Sequence, residues 1–218
     1  MNSPTLQDRS DKQQRLFGAA LWLGVFTVVY NLGEGIVATL FGYEDETFAL
    51  FGFGVDSFIE MISGMGIVYM TWRIRRQPDS GRSDFERTAL RITGYCFYVL
   101  AGGLVITGLF NLYTGNAPQT TFWGVVISSI SIVVMIVLIV GKIRIGRALQ
   151  SDAILADANC TKVCIYMSIV LLASSGLYVW TGFVYADSLG TLGLAWFSVA
   201  EGRECFEKVK HGTHCHHH

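Results

Sequence analysis

Six apolar segments of membrane-spanning length dominate this sequence and leave very few folds open to it. They lie at 16–41, 47–72, 89–114, 120–142, 151–183 and 187–207. About 20 apolar residues cross ~30 Å of hydrocarbon at ~1.5 Å per residue. The runs are continuously apolar and do not alternate over short stretches, which excludes a β-barrel. Helices are the other backbone that satisfies its own hydrogen bonds in lipid. With 51% hydrophobic and 15% charged residues, the chain is too apolar for an ordinary soluble domain. The expectation is an all-α, six-transmembrane-helix membrane protein, with an N-terminal segment 1–15, a membrane domain 16–207 and a tail 208–218.

Charge placement sets the orientation. Of the 16 Lys and Arg, 15 fall in the N-terminus, the segments 73–91 and 142–147, and the tail from Arg203. Six crossings put all four places on one side. The opposite loops near 42–46, 115–119 and 184–187 carry none, and one reads Glu44-Asp45-Glu46. The positive-inside rule then makes both termini cytoplasmic. The remaining cation, Lys162, sits inside the fifth run. Residues 1–15 lack the apolar core of a secretory leader. The expected location is an inner (cytoplasmic) bacterial membrane. A net charge of −1 offers no basic surface for nucleic acid. None of the five cysteines falls in an outer loop, so no disulfide framework is expected.

Two dyads stand out within the apolar runs. Asp56 and Glu60 are spaced i, i+4 in the second, and Cys160 and Cys164 are spaced the same way in the fifth. That spacing puts both members on one helix face. From Thr47 and from Ser151 the members are 9 and 13 residues in. Both pairs therefore lie roughly 14–20 Å deep, reached from opposite sides. That is the midplane, where transporter sites lie. Buried carboxylates in a membrane helix are a functional-site hypothesis by default. Two carboxylates and two thiols make a four-ligand cation set. Asp157 shares the face of Cys160, either as a third cation contact or as a cap on the cytoplasmic approach. Glu34 either lines a proton route or pairs with Lys162, and the pairing is preferred.

The surrounding sequence resembles the transmembrane part of the cation diffusion facilitator family. SDAILADANCTKVC (151–164) keeps Ala156-Asp157-Ala158 and sets Cys160 and Cys164 where the family carries its ligand pair. ALFGFGVDSFIEMISG (49–64) keeps Ser57 and Ile62-Ser63-Gly64 and sets Asp56 and Glu60 at the matching pair. Asn31, Glu34 and SGRSDFERTAL (80–90) resemble further family features. The departures are that neither His-x-x-x-Asp pair is intact, that Phe53 replaces an acidic residue, and that the short tail stands where the family has a cytoplasmic metal-binding domain. The resemblance implies a divalent-metal exporter that exchanges metal for protons and works as a homodimer.

The ligand chemistry narrows the metal. Carboxylates alone suit hard ions, and thiolates shift the preference toward Zn²⁺ and softer ions. The mixed set fits Zn²⁺ first and Cd²⁺ next, with Hg²⁺, Cu⁺ and Fe²⁺ left open. Ionised together, Asp56, Glu60, Cys160 and Cys164 would place four negative charges in a low-dielectric core. Metal arrival then releases protons, and metal departure needs them back. The tail adds His211, His214, Cys215, His216, His217 and His218, a tract that either captures metal or has no required role. No resident cofactor is expected beyond the transported ion. No enzyme is expected, because every His is in the tail and no nucleophile–histidine pair exists. The competing functions are a membrane metal sensor or buffer and an intramembrane thiol redox protein.

Overall fold

The structure, a computed structural model, describes residues 6–44, 48–76, 82–115, 122–182 and 185–211. The described residues form six helices and no strand. They are α1 (Leu6–Glu44), α2 (Phe48–Arg76), α3 (Arg82–Thr114), α4 (Phe122–Leu149), α5 (Asp152–Thr181) and α6 (Ala186–His211). Five are long and apolar enough to cross a membrane. α6 does not reach that level, because it is the least apolar of the six and holds Glu201, Arg203, Glu204, Glu207, Lys208 and Lys210 in its second half.

Two ends run further than the apolar pattern predicts. α1 begins at Leu6, inside the expected N-terminal segment. α4 continues to Leu149, so Lys142, Arg144 and Arg147 are helical and not part of a loop. The turn that stops α4 explains why. Gln150 takes a left-handed φ of 50°. Its N–H bonds the Arg147 carbonyl at 3.2 Å, and Ser151 N–H bonds the Gly146 carbonyl at 2.9 Å. This nested pair is a Schellman motif. Ser151 then caps α5, its hydroxyl accepting from Ile154 N–H at 3.5 Å. A left-handed conformation costs a side-chain-bearing residue about 1 kcal/mol relative to glycine. Gln150→Gly should therefore raise the apparent melting temperature, measured by thermal denaturation in detergent.

Polar groups are turned inward and large apolar ones outward. Asn31, Asp56, Ser57, Glu60, Ser63, Asp157 and Thr161 are buried, while Trp22, Val99, Ile106, Val133 and Val137 are exposed. That polarity suits a lipid solvent, which has no partner for a hydrogen-bonding group. Buried hydroxyls that could disrupt a helix bond back into it: Thr27 to the Leu23 carbonyl, Thr71 to Ile67 and Ser198 to Leu194.

The helices associate mainly as α1 with α2, α3 with α6, and α4 with α5. The first seam depends on glycine. A Cβ on Gly54 would lie 2.7 Å from Thr39 N and 3.0 Å from the Gly35 carbonyl oxygen. Only a bare Cα permits that approach, as in many membrane helix pairs. α2 and α5 are the innermost spans, with 56% and 61% of their apolar windows buried against 28% for α1 and for α4.

Candidate functional site

α2 and α5 meet turn by turn through their polar residues. Ser63 donates to Asp157 Oδ1 at 2.8 Å. One turn along, Thr161 donates to Glu60 Oε1. One turn further, the same register sets Cys164 level with Asp56. Numbers fall along α2 as they rise along α5, so the helices are antiparallel and these pairs are level with one another. Asp56, Glu60, Asp157, Cys160 and Cys164 share this column, and none is more than 3% exposed. Cys160 lies within electrostatic reach of Glu60, Asp157 and Asp56.

The column holds a residue that the sequence reading placed elsewhere. Lys142 was expected in the basic cytoplasmic segment 142–147, yet it is only 2% exposed. Its ammonium lies 2.8 Å from Asp157 Oδ2 and 3.5 Å from Glu60 Oε1, and donates to Thr161 Oγ1 at 2.8 Å. The short α4–α5 turn lays the last turns of α4 against the first turns of α5, with Gly146 facing Leu155. This brings the Lys142 stem inward. Ser63 also shares a hydrogen bond of 3.0 Å with Thr93 of α3, so four helices contribute to the network.

At and beside the column, three buried oxygens have no hydrogen-bond partner: Asp56 Oδ1, Glu60 Oε2 and Asn31 Oδ1. Asn31 joins the column through the α1–α2 seam. That seam pairs Ser57 with Glu34 and sets Gly64 against Thr27, which makes Asn31 level with Glu60. All three orphaned atoms are acceptors. Buried acceptors normally find donors, and a cation is the other species that would satisfy them. Among the described residues, no three His, Cys, Asp or Glu side chains converge into a closed cation cage.

The expected Glu34–Lys162 pair does not form. Glu34 accepts from Tyr30 and from Ser57, each at 3.0 Å. Lys162 donates to Asn159 Oδ1 at 2.7 Å, and Asn159 in turn donates to Glu201 at 2.7 Å. Glu34 faces the α1–α2 seam, whereas Lys162 and Asn159 turn toward α6. Two partners that point to different neighbours of the bundle cannot neutralise each other.

A cavity of about 320 Å³ opens among α2, α3, α5 and α6. Phe53, Leu104, Phe110, Met167 and Leu194 line it, and Asp56 is its acidic residue. It occupies the half of the bundle away from the termini. Lys142 approaches the column from the other half.

Cys96, Cys160, Cys164 and Cys205 are buried free thiols. The tail residues His214, Cys215, His216, His217 and His218 lie outside the described residues, and His211 closes α6. The sequence reading missed Lys142, Thr161, Ser63 and Thr93 as members of the column. One signal for Lys142 was available: no proline and no cluster of turn residues separates it from the apolar run before Gln150-Ser151-Asp152.

Residues 19–209 match the family model described as the cation efflux transmembrane domain. The match spans all six helices and covers both halves of the α2–α5 column. Its family is one of transporters and not a class of enzyme. This chain belongs to the cation efflux family and is a multi-pass membrane cation transporter.

Proposed function

We propose that this protein exports a divalent transition-metal cation, Zn²⁺ or Cd²⁺, in exchange for protons, through the α2–α5 column. Asp56 and Glu60 would supply carboxylate oxygens, and Cys160 and Cys164 would supply thiolates. Asp157 and the Asn31 carbonyl oxygen would be further oxygen donors at neighbouring levels of the bundle. The observation that carries this reading is the set of orphaned acceptor oxygens on Asp56, Glu60 and Asn31 in the same buried column as two free thiols. Mixed oxygen and sulfur ligands favour borderline and soft ions over Mg²⁺ or Ca²⁺. Ligands that shed protons to bind metal give exchange without a separate coupling device. Rocking of helices about a midplane site gives alternating access. A homodimer in an inner (cytoplasmic) bacterial membrane completes the proposal, on the family resemblance.

The test is metal uptake into proteoliposomes, compared across Zn²⁺, Cd²⁺, Mn²⁺ and Fe²⁺. Zn²⁺ and Cd²⁺ should move fastest, and an imposed pH gradient should drive them. Cys160→Ala should shift the preference from Cd²⁺ toward Mn²⁺. Zn²⁺ movement that ignores the pH gradient would refute proton exchange, and no movement of any metal would favour the sensor.

A further inference from the structure

The column already contains a cation. The Lys142 ammonium is buried among Asp157 Oδ2, Thr161 Oγ1 and Glu60 Oε1 at 2.8, 2.8 and 3.5 Å. Its three N–H bonds are matched by three oxygens from two helices, much as a bound ion would be held. Glu60 is the shared element, because its Oε1 faces Lys142 while its Oε2 has no partner and lies level with Asn31. A divalent ion drawn to Glu60 would therefore stand within a few ångströms of the ammonium. In a low-dielectric interior two positive charges at that separation repel strongly.

We infer that Lys142 is a tethered competitor for the metal: ammonium and substrate exclude each other from the Glu60–Asp157 end of the column, and Lys142 sets the affinity and charge selectivity of the site. This rests on the metal-transport reading above. Two consequences follow from the geometry. Without metal, Glu60 and Asp157 keep a counter-charge, so the column has no need to fill with another ion. With metal, displacement is favourable only for an ion that brings more charge than it removes. A monovalent ion merely exchanges one positive charge for another, against a competitor whose tether holds it at high effective concentration. A divalent ion gains a charge in the exchange. The site is thereby biased against Na⁺ and K⁺ without a size filter.

The experiment is calorimetric titration of the purified full chain in detergent with Cd²⁺ or Zn²⁺ alone. Wild type is compared with Lys142→Gln, which removes the charge, and Lys142→Arg, which keeps it. Lys142→Gln should bind at least ten times more tightly than wild type, and Lys142→Arg no more tightly than wild type. Equal or weaker binding by a folded Lys142→Gln overturns the inference. Should Lys142→Gln alone leave the carboxylates too exposed to one another to fold, the Lys142→Gln/Asp157→Asn double variant is compared with Asp157→Asn. A tighter double variant supports the inference, and an equal one overturns it. If wild type and all variants take up no metal, the transport reading falls and the inference with it. If all bind alike, the transport reading stands and the inference alone falls.

Discussion

Asp56→Ala is expected to abolish metal transport while leaving the protein folded. Asp56 is 3% exposed, lines the cavity on the far side from the termini, and has one carboxylate oxygen with no hydrogen-bond partner. It is the acidic group an exported cation would touch last on leaving the column for that cavity. Even residues that only support metal ligands typically change affinity by about 10–100-fold, so a charged ligand should cost ~100-fold or more. The stability effect should have the opposite sign. A buried, partly unpaired carboxylate is a cost to the folded state. Removing it next to an existing cavity should leave the melting temperature unchanged or raise it. Transport measured in proteoliposomes and melting measured on the same preparation check both halves. A control at the exposed Arg203–Glu207 pair, 3.7 Å apart, should alter neither. Retained transport in Asp56→Ala would remove Asp56 from the site.

Asp157→Ala is expected to be the most destabilising single change in the column. Asp157 is as buried as Asp56, but both its oxygens are used, one by Ser63 and one by Lys142. Its removal strands an ammonium in the bilayer core with Glu60 as the one remaining carboxylate. Breaking a buried pair by deleting one partner costs about 3–5 kcal/mol. An apparent melting temperature lower by roughly 10 °C is the expected result. Adding Lys142→Met should recover most of the loss, because the stranded charge goes with it. If Asp157→Ala melts like wild type, Lys142 is not held by this pair. The two carboxylates thus separate by sign: Asp56 serves function at some cost to stability, and Asp157 serves both.

Much of this was legible before any coordinates. Continuous apolar runs have one solution in lipid, so the helices followed from their length. Asp56, Glu60, Cys160 and Cys164 could be placed at one depth from the sequence because rise per residue is nearly constant and the spans are antiparallel. Side-chain direction was harder to read. Lys142 was read as cytoplasmic because basic residues near a span end usually are. Its fate depended on a left-handed Gln150 and a two-residue turn, which carry no glycine signal. Glu34 and Lys162 were paired on charge alone, and charge does not reveal which helix lies beside each face. Thr161 and Ser63 looked like ordinary small polar residues. Their role appears only when the register of α2 against α5 is known.

The glycine-tight α1–α2 seam and the capped α4–α5 hairpin also have a mechanical consequence. Each is a closely associated helix pair. Asp56, Glu60 and Asn31 ride on the first, whereas Lys142, Asp157, Cys160 and Cys164 ride on the second. The interface between these two helix pairs therefore runs between the proposed carboxylate ligands and the proposed thiol ligands. On the proposed reading, sliding of one hairpin past the other would change the distances from Asp56 and Glu60 to Cys160 and Cys164 together, so opening the bundle and altering its grip on the ion would be a single motion.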